Sequence, residues 1–519
     1  MSVGKVAAGD LHDLTSVADE LVTSLMFRPW GQVSTSVYET GRLVSLAPWL
    51  TGHHERIDYL LAAQRPDGSW GAPDGYGVVP TLSATEAFLA ALERGDLGAD
   101  PRVLREAAGR GMRAVAPWLA ARRALPDTPA IEHIVPFLVC LINGRLTVPS
   151  AGLPGAEPLP LPDGTGRERL ERIRSWIASG AEVPQKLLHA LEVAGPAACG
   201  APAIRPTPIG TVGASPAATA AWLGERGARD PHEPARTHLE AVSRRHGGPV
   251  PVGLPITVFE RGWVLSWLLR AGLRVDVPPE MVADLRAAIG PAGTPAGPGL
   301  PADADTTSVA LYALALLGVP YEPDSLWAFH TGTHFATWPG EDGSSVSVNA
   351  HVLDAFGGYV ARRPEASSRY GGTISDLAAW IRDRQEPDGS WADRWHASPY
   401  YAAASCALAL DEFGGDSSAG AVHAAVDWVL DTQRTDGSWG RWEGTAEETA
   451  YAMQILLMTR WRDDRRCARA ASLGLAHLSS HLTSGGAEHP ALWHDKDLYT
   501  PTAVVQAAVI SSTHLARRI

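Results

Sequence analysis

The chain has 519 residues, enough for two or three domains. Hydrophobic residues make up 45% and charged residues 19%, a balance that builds large cores and argues against a disordered chain. A net charge of −13 without a basic run argues against a nucleic-acid partner.

No stretch approaches ~18 uninterrupted apolar residues, and the N-terminus lacks an apolar signal core. No stable membrane insertion and a cytoplasmic location are therefore expected. Lysine occurs only at Lys5, Lys186 and Lys496, and arginine fills nearly every other basic position. With the Ala/Gly/Pro bias this points to a high-GC bacterial coding sequence. Cys140, Cys199, Cys406 and Cys467 show no metal-ligand spacing and read as reduced, mostly buried thiols.

Residues 9–27 place Leu11, Leu14, Val17, Leu21 and Leu25 at helical spacing, with Asp10 positioned to cap. Pro29 breaks this pattern, and a new unit begins with VSTSVYETGRLVSL at 33–46. From there to about 245, helical stretches alternate with Pro/Gly-rich breaks such as 148–165 and 194–216. A further loop, 290–302, leads into Asp303-Ala304-Asp305-Thr306-Thr307 and then directly into an Ala-rich apolar helix. Beyond it helices recur with DGSW turns between them, while strand-type alternation is scarce. This is repeat architecture, in which neighbouring helix pairs bury one another.

Three segments share one pattern: YLLAAQRPDGSWG (59–71), WIRDRQEPDGSWA (380–392) and WVLDTQRTDGSWG (428–440). Each carries an aromatic residue (Tyr59, Trp380, Trp428) five positions before a glutamine (Gln64, Gln385, Gln433). Each ends in Asp-Gly-Ser-Trp, at Trp70, Trp391 and Trp439. The tryptophans of these turns read as staples between repeats, not as site residues.

Buried charge is costly, so two carboxylates one residue apart beside an apolar helix imply a task. Burial and a neighbouring carboxylate both raise an Asp pKa, which suits a group that must stay protonated and then donate. The plain alternative is an N-cap. The same letters match the nucleophile motif of haloacid-dehalogenase-type phosphatases, but that motif follows an apolar strand, and GTPAGPGLPA upstream cannot form one. A zinc prenyltransferase subunit or a non-catalytic helical barrel are further alternatives. Cys406 has no evident metal partners in sequence, and a binding module has no use for the acid pair.

The three repeats resemble the QW repeat of class II terpene cyclases, and the acid motif is similar to their DxDD. STSVYETGRLVSL, PAIEHIVPFL (129–138), VPQKLLHALE (183–192), PITVFERGWVLSWLLRAGL (255–273), SVNAHVLDAF (347–356) and LWHDKDLYTP (492–501) also resemble segments of that family, in the family's order. The resemblance implies an all-α protein of two α/α-barrel domains. Residues 1–29 would supply an N-terminal helix of the β domain, 30–250 an inserted γ domain, and 251–519 the rest of β.

The resemblance further implies cyclisation of a linear prenyl diphosphate. Asp305 matches the proton donor, with Asp303 to orient or recharge it and Thr306 beside them. Carbocations formed later need aromatic walls. Candidates are Phe259, Trp263, Trp338, Trp395, Tyr400, Tyr401 and Trp442, each of which also reads as core packing. Asn349 and His351 are candidates to hold a water that removes the last proton. The metal-binding DDxxD and NSE-type motifs of class I enzymes are absent, so the diphosphate is expected to stay on the product. Lys186 is expected to meet it, with Mg²⁺ held near Asp127 and Glu132. The Thr306-Thr307 pair departs from DxDD and resembles drimane-type sesquiterpene cyclases. Farnesyl diphosphate and a drimenyl product are therefore expected first, and geranylgeranyl diphosphate with a copalyl-type product second.

Overall fold

The computed structural model describes residues 14–28, 30–96, 100–121, 123–151, 153, 155–161, 167–483 and 490–519. The first helix, α1 (Leu14–Met26), buries Ala18, Leu21, Val22 and Leu25. The expected stripe is rotated, because the small Ala18 and the branched Val22 face the core while Val17 is 37% exposed. Asp10 and Leu11 lie outside the described residues, as does Pro29.

One ring of helical segments follows: α2 (Val37–Leu46), α3 (Val78–Arg94), α4 (Ile131–Leu146), a 3₁₀ segment at Leu191–Ala198, and α5 (Pro216–Leu223). Each packs on the next, and α5 returns to α2. A second ring runs through α6 (Thr257–Arg270), α7 (Ala304–Leu316), α8 (Val346–Arg362), α9 (Pro399–Phe413), α10 (Ala446–Met458) and α11 (Thr502–Ala516). It closes where α11 meets α6, and α1 packs outside it on both. These are α/α barrels, as expected from the repeats. Strands among the described residues are two residues long, including β1 (Thr294–Pro295) paired with β2 (Ala302–Asp303).

The inner helices α7, α9 and α10 are buried almost all round, which explains their runs of alanine. Alanine favours the helix and lets neighbouring helices approach closely. The outer helices are held by the repeated turns. Gln385 Nε2 donates to Gly389 O at 2.9 Å within its own turn and to Ala421 O at 2.8 Å on the next outer helix. Gln64 does the same with Gly68 and Ala107, and Gln433 with Gly437 and Ala470. The tryptophan of each turn folds back, and Trp70, Trp391 and Trp439 donate to the carbonyls of Leu60, Ile381 and Val429. At Gly389 φ is +96°, and a Cβ would lie 2.4 Å from Ala424 O, so glycine is required there. The repeat is thus a staple between adjacent outer helices.

All four cysteines are free thiols; Cys406 and Cys467 are buried, but Cys140 is half-buried and Cys199 exposed. No described helix is long and apolar enough to cross a membrane.

Candidate active site

A cavity of ≈ 520 Å³ lies between the two rings, lined from residues 127–133, 186–190 and 252–253 on one side and by Asp303, Asp305, Thr306, Thr337, Arg394 and Trp493 among others on the second. The acid motif meets it where β2 turns into α7. Asp303 is the N-cap of α7, its extended backbone ending β2 and its Oδ1 accepting the Thr306 N–H at 2.6 Å. Thr307 locks this corner, donating to Asp303 O and accepting the Thr294 N–H at 2.9 Å. Capping and cavity exposure therefore coexist in Asp303, so the N-cap alternative is a true description of its backbone role and does not exhaust it.

Burial pushes the Asp303 carboxyl up to about 8, against the Thr306 N–H and with help from the Asp305 charge. Asp305 sits in the first turn of α7 and pairs with His351 of α8, Nδ1 to Oδ1 at 2.6 Å. Burial opposes a charge on His351, but the Asp305 carboxylate and its hydrogen bond outweigh it and raise the imidazole pKa.

The expected aromatic residues divide. Phe259, Trp338 and Trp395 line the cavity, joined by Trp493 and Tyr499. Trp338 and Trp395 meet edge to face at 5.1 Å, and Trp395 is oriented by donating to Thr337 Oγ1 at 3.0 Å. Trp263 stacks behind Phe259 at 4.2 Å and touches the His351 ring at 5.3 Å. Tyr401 accepts the Trp263 indole N–H at 3.1 Å and stands in the same buried layer. Two candidates fall elsewhere. Tyr400 packs on Trp428 of a repeat, ring centres 4.6 Å apart, because the side chains of consecutive helical residues diverge. Trp442 reaches across the seam, donating to Asp74 at 2.8 Å and packing on Tyr76.

The proposed water-holding pair also divides. Asn349 is fully spent on backbone, accepting from Phe335 N at 2.8 Å and donating to Phe335 O and Ser345 O. His351 faces the acid motif instead.

The magnesium expectation is overturned. Asp127 is held by Arg394 at 2.9 Å, Glu132 by His133 at 3.3 Å, and among the described residues no three His, Cys, Asp or Glu side chains are grouped to hold a metal ion. Both carboxylates do line the cavity mouth, as does the exposed Lys186.

A buried ion cluster beside the cavity had no role in the sequence reading. Lys496 is 1% exposed and pairs with Glu39 and Glu192 at 2.5 and 2.9 Å. It also donates to Ser215 Oγ and His189 O. Burial opposes its charge, yet Glu192 and Glu39 raise its pKa. His189, which lines the cavity, bonds Asp495 at 2.7 Å. The available signal was one of three lysines set between two aspartates in WHDKDLY.

Residues 340–469 match the family model for the squalene–hopene cyclase C-terminal domain. An ent-copalyl diphosphate synthase of Streptomyces sp. (strain KO-3988) is 43% identical, covering 98% of this chain and 97% of that protein. A labda-7,13-dienyl diphosphate synthase of Streptomyces clavuligerus is 41% identical, covering 100% of this chain and 96% of that protein. Among solved structures, the ent-copalyl diphosphate synthase of Streptomyces platensis superposes with a TM-score of 0.92 at 44% identity, covering 97% of this chain and 99% of that one. None of these relatives is named a drimenyl diphosphate synthase, and their names fit the second expectation, a copalyl-type product, better than the first. Identity of this degree over nearly the whole length, with the acid pair opening on a cavity between two α/α barrels, shows that the chain belongs to the class II terpene cyclases.

Proposed function

We propose that this enzyme protonates the terminal alkene of geranylgeranyl diphosphate and closes two rings to a copalyl-type diphosphate. The names of its relatives at 41–44% identity support the twenty-carbon substrate. The observation that carries the chemistry is the Asp305–His351 pair at the cavity.

An alkene is a very weak base, so the acid must be strong at the moment of transfer. With His351 as imidazolium, Nδ1–H donates to Asp305 Oδ1 and stabilises the carboxylate as it forms. The resting ion pair must first take up one more proton, on the other Asp305 oxygen, and that proton passes to the alkene carbon. Asp303, kept neutral by burial, adds no second charge to the corner, and Thr306 holds it by hydrogen bonding. The cation then moves along a cavity faced by Phe259, Trp338, Trp395, Trp493 and Tyr499, whose rings attract it without taking its proton. After the second ring closes it loses one proton to a water in the cavity, so that the product is an isomer of the substrate. Water exclusion favours ring closure over early quenching. Lys186 at the mouth suits the diphosphate, which stays on the product. In the same reading, residues 30–250 form the inserted γ domain and the remainder the β domain; the packing of α1 on α6 and α11 supports this division.

Incubation with geranylgeranyl and farnesyl diphosphates, phosphatase treatment and product identification test the reading. A bicyclic twenty-carbon alcohol with kcat/KM favouring geranylgeranyl diphosphate is expected. A preference for farnesyl diphosphate would restore the drimenyl reading. Stoichiometric release of inorganic pyrophosphate would contradict retention of the diphosphate.

A further inference from the structure

Behind the acid pair lies a second, much smaller void of ≈ 20 Å³, walled by α6, α7, α8 and α9. Its surface is mainly apolar, from Trp263, Trp267 and Val309, but polar side chains of Ser266, Arg270, Tyr312, His351, Asp354 and Ser405 also border it. Three buried polar atoms there have no hydrogen-bond partner in the protein: Ser266 Oγ, Trp267 Nε1 and Ser405 Oγ. One unpartnered buried group costs about 1–3 kcal/mol, so three around one void need a common partner. The volume suits a single water, which requires two to four polar neighbours. His351 spends Nδ1 on Asp305, which leaves Nε2 for this void.

We propose that the void is a binding site for one structural water that links His351 Nε2–H to Asp354 and the Ser405 hydroxyl, and that this link holds His351 as the imidazolium donor to Asp305. The proposal rests on Asp305 being the proton donor. Asp354 is then a positioning residue acting through the water. It lies three residues after His351 on α8, and Arg270 of α6 fixes it with bonds of 2.9 and 3.1 Å. Arg270 is itself shared with Glu412 of α9 at 2.9 Å, and Tyr312 of α7 also donates to Glu412.

The charges that face His351 are therefore mainly acidic: Asp305 from α7, Asp354 from its own helix, and Asp393 from the loop after the second repeat. From α6 comes the Trp263 ring, with Arg270 already neutralised by Asp354 and Glu412; from α9 comes the neutral Tyr401 ring.

The test combines a crystal structure of the wild-type enzyme, ¹⁵N NMR titration of His351, and the pH profile of kcat in Ser405→Val. That substitution fills the void and removes one partner. An ordered water is expected in the wild type. In Ser405→Val the His351 titration should fall by about one pH unit or more, the alkaline limb of kcat should move with it, and KM should hold. A dry void at high resolution, or a variant with both the titration and the limb unmoved, overturns the proposal. Should Ser405→Val fail to fold, the double substitution Ser266→Ala with Ser405→Ala removes both serine hydroxyls of the void without adding volume, and its His351 titration and kcat limb are read in the same way. Density and NMR report on the water whichever group donates the proton, whereas an error in the donor assignment shows in assays of Asp305 variants.

Discussion

His351 Nδ1 stands 2.6 Å from Asp305 Oδ1, and the two residues come from neighbouring inner helices, 46 positions apart. Aspartate alone is a mediocre acid toward an alkene. In the proposed role, coupling to an imidazolium leaves the Asp305 carboxylate in a prepaired site once its proton has passed to the alkene, at little reorganisation cost. Asp305→Ala should therefore fold normally and lose cyclisation by about 10²–10⁴-fold. Single-turnover assays with geranylgeranyl diphosphate measure this. Retention of more than about a tenth of the rate would move the donor role to Asp303.

The pairing also sets the direction of the pH response. The His351 pKa is raised, so the charged form is present at lower pH and is lost as pH rises through that value. Turnover should fall on the alkaline side. His351→Phe should lower kcat by about 10²-fold and flatten that limb, with KM little changed. A variant that kept the wild-type limb would assign it to Asp303.

Asp303 illustrates a trade between stability and activity. Its folded carboxyl sits near 8, far above its unfolded value, because burial disfavours the charge. Such a group contributes stability fully below its unfolded pKa, and the contribution is lost as pH rises through about 8. Asp303→Asn keeps an N-cap acceptor for Thr306 and removes the ionisable proton. The variant should be more stable than wild type by on the order of 1–3 kcal/mol at pH 7, with the gain shrinking toward pH 4. Its turnover should fall. Denaturant melts at both pH values decide the sign.

The barrels were legible because their repeats are local. Gln385, Gly389 and Trp391 act within one turn and its neighbouring helix, so their spacing carries their function. Asp303 and Asp305 were legible for the same reason, being adjacent in one corner. What sequence spacing could not place were long-range partners. His351 looked like a water holder beside Asn349, but the two are separated by half a helical turn; one serves the Phe335 backbone and the other the acid. Tyr400 and Tyr401 are neighbours in sequence and face different layers. Lys496 meets Glu39 and Glu192 only because two distant parts of the chain pack together.

The staple makes a stability prediction that leaves the chemistry alone. Gln385→Ala removes donors from Gly389 O and Ala421 O, both outside the cavity. A loss of about 1–3 kcal/mol is expected, with kcat per folded molecule unchanged. A drop in kcat at full folding would show that the repeat reaches the site, contrary to its position.

Lys496 supports the sharpest stability test. It is buried with two carboxylates, and a third acid, Asp495, engages His189 next to it. A buried pair is a weak source of net stability, but removal of one partner strands the other charge. Lys496→Met would leave Glu39 and Glu192 facing each other without a cation, and Glu192 Oε2 already lacks a hydrogen-bond partner. The loss should be about 3–5 kcal/mol. Because Glu39 and Glu192 belong to the first ring and Lys496 to the segment before α11, the damage should appear at the seam that bounds the cavity. Adding Glu39→Gln and Glu192→Gln to Lys496→Met should recover much of the stability, since the stranded charges are gone. A single variant as stable as wild type would mean that water already solvates the cluster, and that the seam is held by its other contacts, among them His189–Asp495, Arg394–Asp127 and Arg441–Asp74.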